Sequence, residues 1–177
     1  MYRVLLLDDE QNILNALRRC LTSIDASELD GEALRVEAFT SSEAAMERCE
    51  EGEFDLVITD YRMPAMNGVE FLTRLMDIQP EVPRVIISGF ADRGVIIAAV
   101  NEAQLTRFIE KPWDDRELQR AVVAILVGAN KRSAGARAGA RNSDRQLHWL
   151  EMECPGITQV ERAEDGGIVI AAEDLQA

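Results

Sequence analysis

The sequence predicts an α/β protein: a parallel sheet with helices on both faces. Three observations predict it. Short β-branched or aliphatic runs recur over roughly the first 127 residues, segments of helical periodicity separate them, and Asn67-Gly68 and Gly89 punctuate the loops. Parallel neighbours need a crossover, and right-handed crossovers dominate, so five strand-helix repeats in this order place helices on either side of one sheet.

Val4 to Leu7 is the first strand, and Ile13, Leu14, Leu17 and Leu21 form the stripe of the helix after it. Leu34 to Phe39 follows as a strand, and Thr40 with Glu43 has the spacing of a capping box at the start of the second helix. Phe54 to Thr59 is the third strand; Val69, Leu72, Leu75 and Met76 mark the third helical stripe. Arg84 to Ser88 and Arg107 to Ile109 complete the strands. Asp114 with Glu117 then caps a last helix whose apolar side is Leu118, Ala121, Val122 and Ile125.

After Val127 the character changes, which divides the chain into a domain at 1–127 and a C-terminal extension at 128–177. The Ala/Gly/Arg-rich stretch Ser133 to Arg145 reads equally as an extended helix or as a flexible linker: Ala and Arg favour helix, while Gly135 and Gly139 each cost about 1 kcal/mol in one. Leu147, Trp149, Leu150 and Met152 then indicate a short helix ending at Pro155-Gly156. Ile157 to Glu161 and Ile168 to Ala171 read as a hairpin, which is marginal alone and should dock on the first domain or on a second subunit.

The formal net charge of -13 argues against general attraction to nucleic acid or anionic membranes, because an acidic protein releases no counterions there. The tail has the local exception, Lys131, Arg132, Arg137, Arg141 and Arg145, but no aromatic stacking partners accompany them, so a solvated helix or linker is the simpler reading. Cys20, Cys49 and Cys154 are far apart and form no CxxC pair, which points to reduced thiols rather than to disulfides or zinc. With no signal-peptide organisation and no apolar stretch near about 20 residues, a cytoplasmic location is expected.

In an open α/β sheet, functional side chains gather at the carboxyl ends of the strands, near the point where strand order reverses. Leu6-Leu7-Asp8-Asp9-Glu10 and Val57-Ile58-Thr59-Asp60 are two such ends. With the order 2-1-3-4-5, Asp8 and Asp9 come beside Asp60. Three carboxylates together would raise one another's pKa values unless a cation joined them, and hard oxygen donors in a compact site suit Mg²⁺. Ser88 ends the fourth strand as a hydroxyl donor, and Lys111 follows the fifth as a mobile ammonium. For phosphoryl transfer the set is complete: Asp60 as nucleophile, Mg²⁺ and Lys111 to neutralise the equatorial oxygens, and Ser88 to donate a hydrogen bond.

The succession DDE at 8–10, VITDYRMPAMNG at 57–68, VIISG at 85–89 and FIEKPW at 108–113 resembles the receiver domains of bacterial two-component response regulators over roughly residues 1 to 127. The resemblance implies a flavodoxin-like, doubly wound five-stranded sheet. It also implies that Asp60 accepts a phosphoryl group from a histidine kinase or phosphotransfer protein, with Asp9 and Asp60 as direct Mg²⁺ ligands, Asp8 acting through water and the Arg62 carbonyl completing the protein's ligands. Lys111 would contact the phosphoryl group and precede a cis peptide at Pro112. Ser88 and Phe108 match the switch pair, in which the hydroxyl moves toward the phosphoryl group and the ring fills the space, repacking the face made by strand 5 and its flanking helices. One departure is the long stretch Ile24 to Glu32, away from the site.

Taken singly, each residue has a plainer reading. Asp8-Asp9 could cap a helix, Ser88 could sit in a turn, Phe108 and Trp113 could be core rings, and Lys111 could be a surface charge. His148, beside Trp149, is expected at a half-exposed amphipathic position. An aspartyl-phosphate hydrolase would need a second Asp two residues after the nucleophile; Arg62 stands there, so no enzyme activity is expected beyond self-phosphorylation and slow loss of phosphate. The alternative function is transcription regulation through DNA contacts of the short basic tail, although the tail shows no helix-turn-helix pattern. A single histidine cannot build a cyclic-dinucleotide phosphodiesterase centre, so a protein-binding or dimerising tail remains by elimination.

Overall fold

The computed structural model describes residues 1–89 and 103–135, with backbone only at 131–135. Five strands, β1 (Tyr2–Leu7), β2 (Leu34–Phe39), β3 (Leu56–Asp60), β4 (Arg84–Gly89) and β5 (Arg107–Lys111), form one sheet in the order β2-β1-β3-β4-β5. All four pairings are parallel, and the flavodoxin-like class is met. The described helices are α1 (Gln11–Thr22), α2 (Ser42–Glu51), α3 (Gly68–Ile78) and α4 (Asp115–Gly135), with a short 3-10 turn at Ala26–Leu29.

The pleat sorts the core into two layers, because successive strand residues point to opposite faces. Val4 and Leu6, Leu56 and Ile58, and Val85 and Ile87 face one way and meet Leu14, Leu17 and Leu21 of α1 and Leu118, Val122, Ile125 and Leu126 of α4. Leu5, Leu7, Val57 and Ile86 face the other way, onto Ala45 and Cys49 of α2 and Val69, Phe71, Leu72 and Leu75 of α3. The central strands are buried on both sides and therefore read in sequence as unbroken apolar runs.

Local chemistry moves some expected boundaries. The cap of α2 is Ser41, whose side chain accepts from Ala44 N at 3.2 Å, rather than Thr40. Glu43 is nonetheless engaged, accepting from Ser41 Oγ at 2.7 Å. β3 begins at Leu56 because Phe54 and Asp55 are occupied otherwise: Phe54 N donates to Gln79 Oε1, and Asp55 Oδ2 accepts from Arg3 N. Asp114 caps α4 as expected, accepting from Glu117 N at 3.0 Å. α4 passes through the composition change at Gly128 and continues to Gly135, with Asn130 Nδ2 donating to the Tyr2 hydroxyl at 3.2 Å. The expected short helix and hairpin of the extension, and His148, lie outside the described residues.

Burial pushes the Cys20 thiol up to about 12 and the Cys49 thiol up to about 11, which makes both poor nucleophiles, in line with reduced, inert cysteines. On β2, Glu37 takes bonds from Arg48 at 2.8 Å and Arg3 at 3.2 Å, with Arg35 at 3.4 Å. Burial alone would raise its carboxyl, but the Arg48 and Arg3 guanidinium groups outweigh that and hold it below the usual range. Arg3 and Arg48 also lie over the Phe54 ring, at 4.9 and 5.5 Å from its centre.

Candidate functional site

β1 and β3 are neighbours in register, Leu7 opposite Thr59, so the next residue of each chain brings Asp8 beside Asp60. Asp8 and Asp60 have the parity of Leu6 and Ile58, and Lys111 has that of Ile109; the three converge where this side of the sheet runs out at its carboxyl edge. Asp8 is 2% exposed and Asp60 7%. Lys111 Nζ bridges them, donating to Asp60 Oδ1 at 2.5 Å and to Asp8 Oδ2 at 2.9 Å. The remaining carboxylate oxygens are held by backbone: Arg62 N donates to Asp60 Oδ2 at 2.5 Å and Glu10 N to Asp8 Oδ1 at 2.9 Å.

Burial pushes the Asp60 carboxyl above the usual range; the hydrogen bond and charge of Lys111 pull it back, and the charge of Asp8 pushes it up again. For Lys111, burial pulls the ammonium down, but its bonds to Asp60 and Asp8 outweigh this and leave it above the ordinary lysine value. The result is a fixed cation between two acids, one of them with its carboxyl raised above the usual range by burial.

Four of the expected site residues thus meet: Asp8, Asp60 and Lys111 by side chain, and Arg62 by backbone. Ser88 is buried at the end of β4, opposite Glu110, and Phe108 is opposite Ile86, partly buried against the α2 and α3 layer. Asp9 is exposed. It does not cap α1 either; Glu10 holds the cap position without a side-chain bond. The expected cis peptide joins Lys111 to Pro112. Among the described residues no three acidic, histidine or cysteine side chains cluster as a metal site. Yet Asp8, Asp60 and a backbone carbonyl at Arg62 are the donors Mg²⁺ takes, hard oxygens with one or two carboxylates, so the residues fit that ion.

Sequence reasoning gave Gly68 only a turn role, but it opens α3 directly against the backbone of Asp60. A Cβ there would lie 2.2 Å from the Asp60 carbonyl oxygen. Asn67 and Glu70 fix this start with a reciprocal capping box, legible as Asn-x-x-Glu once the glycine is taken as the first helical residue. Gly68→Ala is therefore expected to lower stability by about 1–3 kcal/mol through overpacking against backbone. Chemical denaturation checks this, and an unchanged midpoint would mean that the loop yields freely.

The family model for the response regulator receiver domain matches residues 4–123. The hydrogenase transcriptional regulatory protein HoxA of Cupriavidus necator is 38% identical over 110 residues, 62% of this chain but 21% of that protein. The chain thus spans about a fifth of the length of that regulator. The response regulator receiver protein CpdR of Brucella abortus is 31% identical over 130 residues, covering 73% of this chain and 100% of CpdR. Among solved structures, the signal receiver domain of an HD domain-containing protein from Pseudomonas fluorescens superposes with a TM-score of 0.63 at 29% identity, covering 73% of this chain and 98% of that one. With the strand order, the Asp8-Asp60-Lys111 trio and a family match over most of its length, the chain belongs to the receiver-domain family of two-component response regulators.

Proposed function

We propose that this receiver takes a phosphoryl group on Asp60 from a histidine kinase or phosphotransfer protein and thereby changes its affinity for a downstream protein. The observation that carries the reading is the Lys111 ammonium bonded to both Asp60 and Asp8 in a buried pocket at the carboxyl edge of the sheet. A carboxylate oxygen of Asp60 attacks phosphorus, the bond to the donor's histidine nitrogen breaks, and an acyl phosphate forms. Lys111, already held above its ordinary pKa, stays charged and neutralises the phosphoryl oxygens. The Arg62 N–H fixes the second Asp60 oxygen, so one oxygen presents itself to the donor.

Mg²⁺, when bound, supplies further charge neutralisation; Asp8, Asp60 and the Arg62 carbonyl would hold it, with Asp9 as the exposed member of the set. Ser88 and Phe108 are the proposed switch pair. Ser88 lies next to the carboxyl end of β4, and Phe108 lies on the adjacent strand β5, opposite Ile86 and partly buried against the α2 and α3 layer. A phosphoryl group on Asp60 thus has a hydroxyl on the neighbouring strand and a ring on the strand beyond it to respond. Residues 1–127 constitute the receiver in this reading and 128–177 an extension that binds protein or dimerises, in the cytoplasm. No described helix is long and apolar enough to cross a membrane.

The test treats the full chain and Asp60→Asn with acetyl phosphate and Mg²⁺ and reads intact mass. The wild-type protein should gain one phosphoryl group that hydroxylamine removes, and the variant none. A folded wild type that gains nothing, or an Asp60→Asn protein that labels equally, would overturn the reading. A second reading, transcription regulation, draws on the similarity to HoxA, a hydrogenase transcriptional regulatory protein. It requires salt-dependent DNA binding lost when Lys131, Arg132, Arg137, Arg141 and Arg145 are replaced.

A further inference from the structure

The connection from α1 to β2 runs from Ser23 to Ala33, where about 2–6 residues usually suffice. Of the stretch Ile24–Glu32, only Ile24 and Leu29 are buried, Leu29 completely. The rest is a tightly bonded turn. Asp25 caps it by accepting from Ser27 N at 2.8 Å, Gly31 N donates to the Ala26 carbonyl at 2.9 Å, and Glu32 N to the Leu29 carbonyl at 3.0 Å. Asp30 and Gly31 take left-handed backbone, with φ of 55° and 82°. A turn built this firmly around one inward leucine delivers that leucine to a set place.

That place is the middle of α4, around Val122, Ile125 and Leu126. The end of α1 is bonded to the second turn of α4: Gln119 Nε2 donates to the Cys20 carbonyl and to Ser23 Oγ, both at 2.8 Å. From Gln119, α4 runs on to Gly135, about 24 Å of helix at 1.5 Å per residue. Along this length α1 has already ended. The 3-10 turn at Ala26–Leu29 packs against α4 instead, and Leu29 joins the cluster of Val122, Ile125 and Leu126. Beyond it, Asn130 bonds to Tyr2, and the amino terminus of Met1 pairs with Glu32 at the end of the same stretch.

We propose that Ile24–Glu32 is a bracket that holds the middle turns of α4, from Val122 to Asn130, against the domain. The bracket acts by packing alone and holds whether or not Asp60 takes a phosphoryl group. An isolated helix end of this length would otherwise fray.

Amide hydrogen exchange of the full chain, followed by mass spectrometry, tests this on two variants. Leu29→Ala removes the anchor. Gly31→Val strains the turn, whose φ is 82°, without removing core atoms. In both, peptides covering Ile125–Asn130 should exchange faster than in wild type, by about tenfold or more for Leu29→Ala, while β1 and β3 peptides keep their rates. Uniform acceleration of all elements in both variants would make Leu29 an ordinary core residue and overturn the bracket, as would unchanged α4 exchange in both.

Discussion

Replacing Lys111 by methionine is expected to destabilise the protein by about 3–5 kcal/mol, the cost of leaving buried charges without their partner, and toward the lower end because the lysine side chain is 20% exposed. Methionine nearly preserves the volume, so the loss is electrostatic. Asp8 and Asp60 would face each other with only backbone N–H groups to hold them. Guanidinium denaturation at neutral pH without divalent cations measures it. Lys111→Met combined with Asp60→Asn should recover a large part of the loss, because one of the two like charges is gone. A single variant as stable as wild type would mean that the bridging ammonium adds nothing to the fold.

The same trio sets two pH windows of opposite origin. Lys111 has a raised folded pKa, so its stabilisation is fully present below the unfolded lysine value of about 10.4 and is lost as pH rises through the folded value. Asp60 also has a raised folded pKa. The fold therefore favours its protonated form, and stability falls as pH rises from the unfolded aspartate value of about 3.9 through the folded one. Lys111→Met should abolish the first dependence and widen the second.

Gln79→Leu should cost at least about 3 kcal/mol, although Gln79 bonds to none of Asp8, Asp60 and Lys111. Its amide is buried and saturated: Oε1 accepts from Phe54 N at 3.0 Å, and Nε2 donates to the carbonyls of Cys49 at 2.8 Å and Gly52 at 3.0 Å. Leucine would leave three main-chain groups orphaned, at about 1–3 kcal/mol for each that water cannot reach. Because these bonds tie the end of α2 to the approach of β3, the damage should appear as lost protection of Phe54 and Leu56 amides. A loss below about 1 kcal/mol would show that water replaces the amide.

What could be read from the sequence follows physical range. Strands such as Val4–Leu7 and Leu56–Ile58 are buried on both faces and announce themselves as apolar runs, and the α1 and α3 stripes follow from period alone. Caps were legible to within a residue, because Thr40 and Ser41 are both good acceptors and only the path of the chain after Phe39 selects Ser41. The pairing of Lys111 with Asp8, 103 residues apart, needed the strand order as an intermediate. Gln79 gives no periodic or motif signal, since its partners are backbone groups at the end of α2 and on the approach to β3. Likewise the stretch Ile24–Glu32 looks like a surface insertion until Leu29 is seen inside the core.

Among the described strands the order of the sheet leaves β2 and β5 as borders, and both carry formal charges: Arg35 and Glu37 on one, Arg107 and Glu110 on the other. Ionic side chains along an outermost strand discourage a second copy from adding its own strand there, since pairing would strip water from them. Edge-to-edge growth, the usual route by which open sheets precipitate, is thereby blunted at both margins.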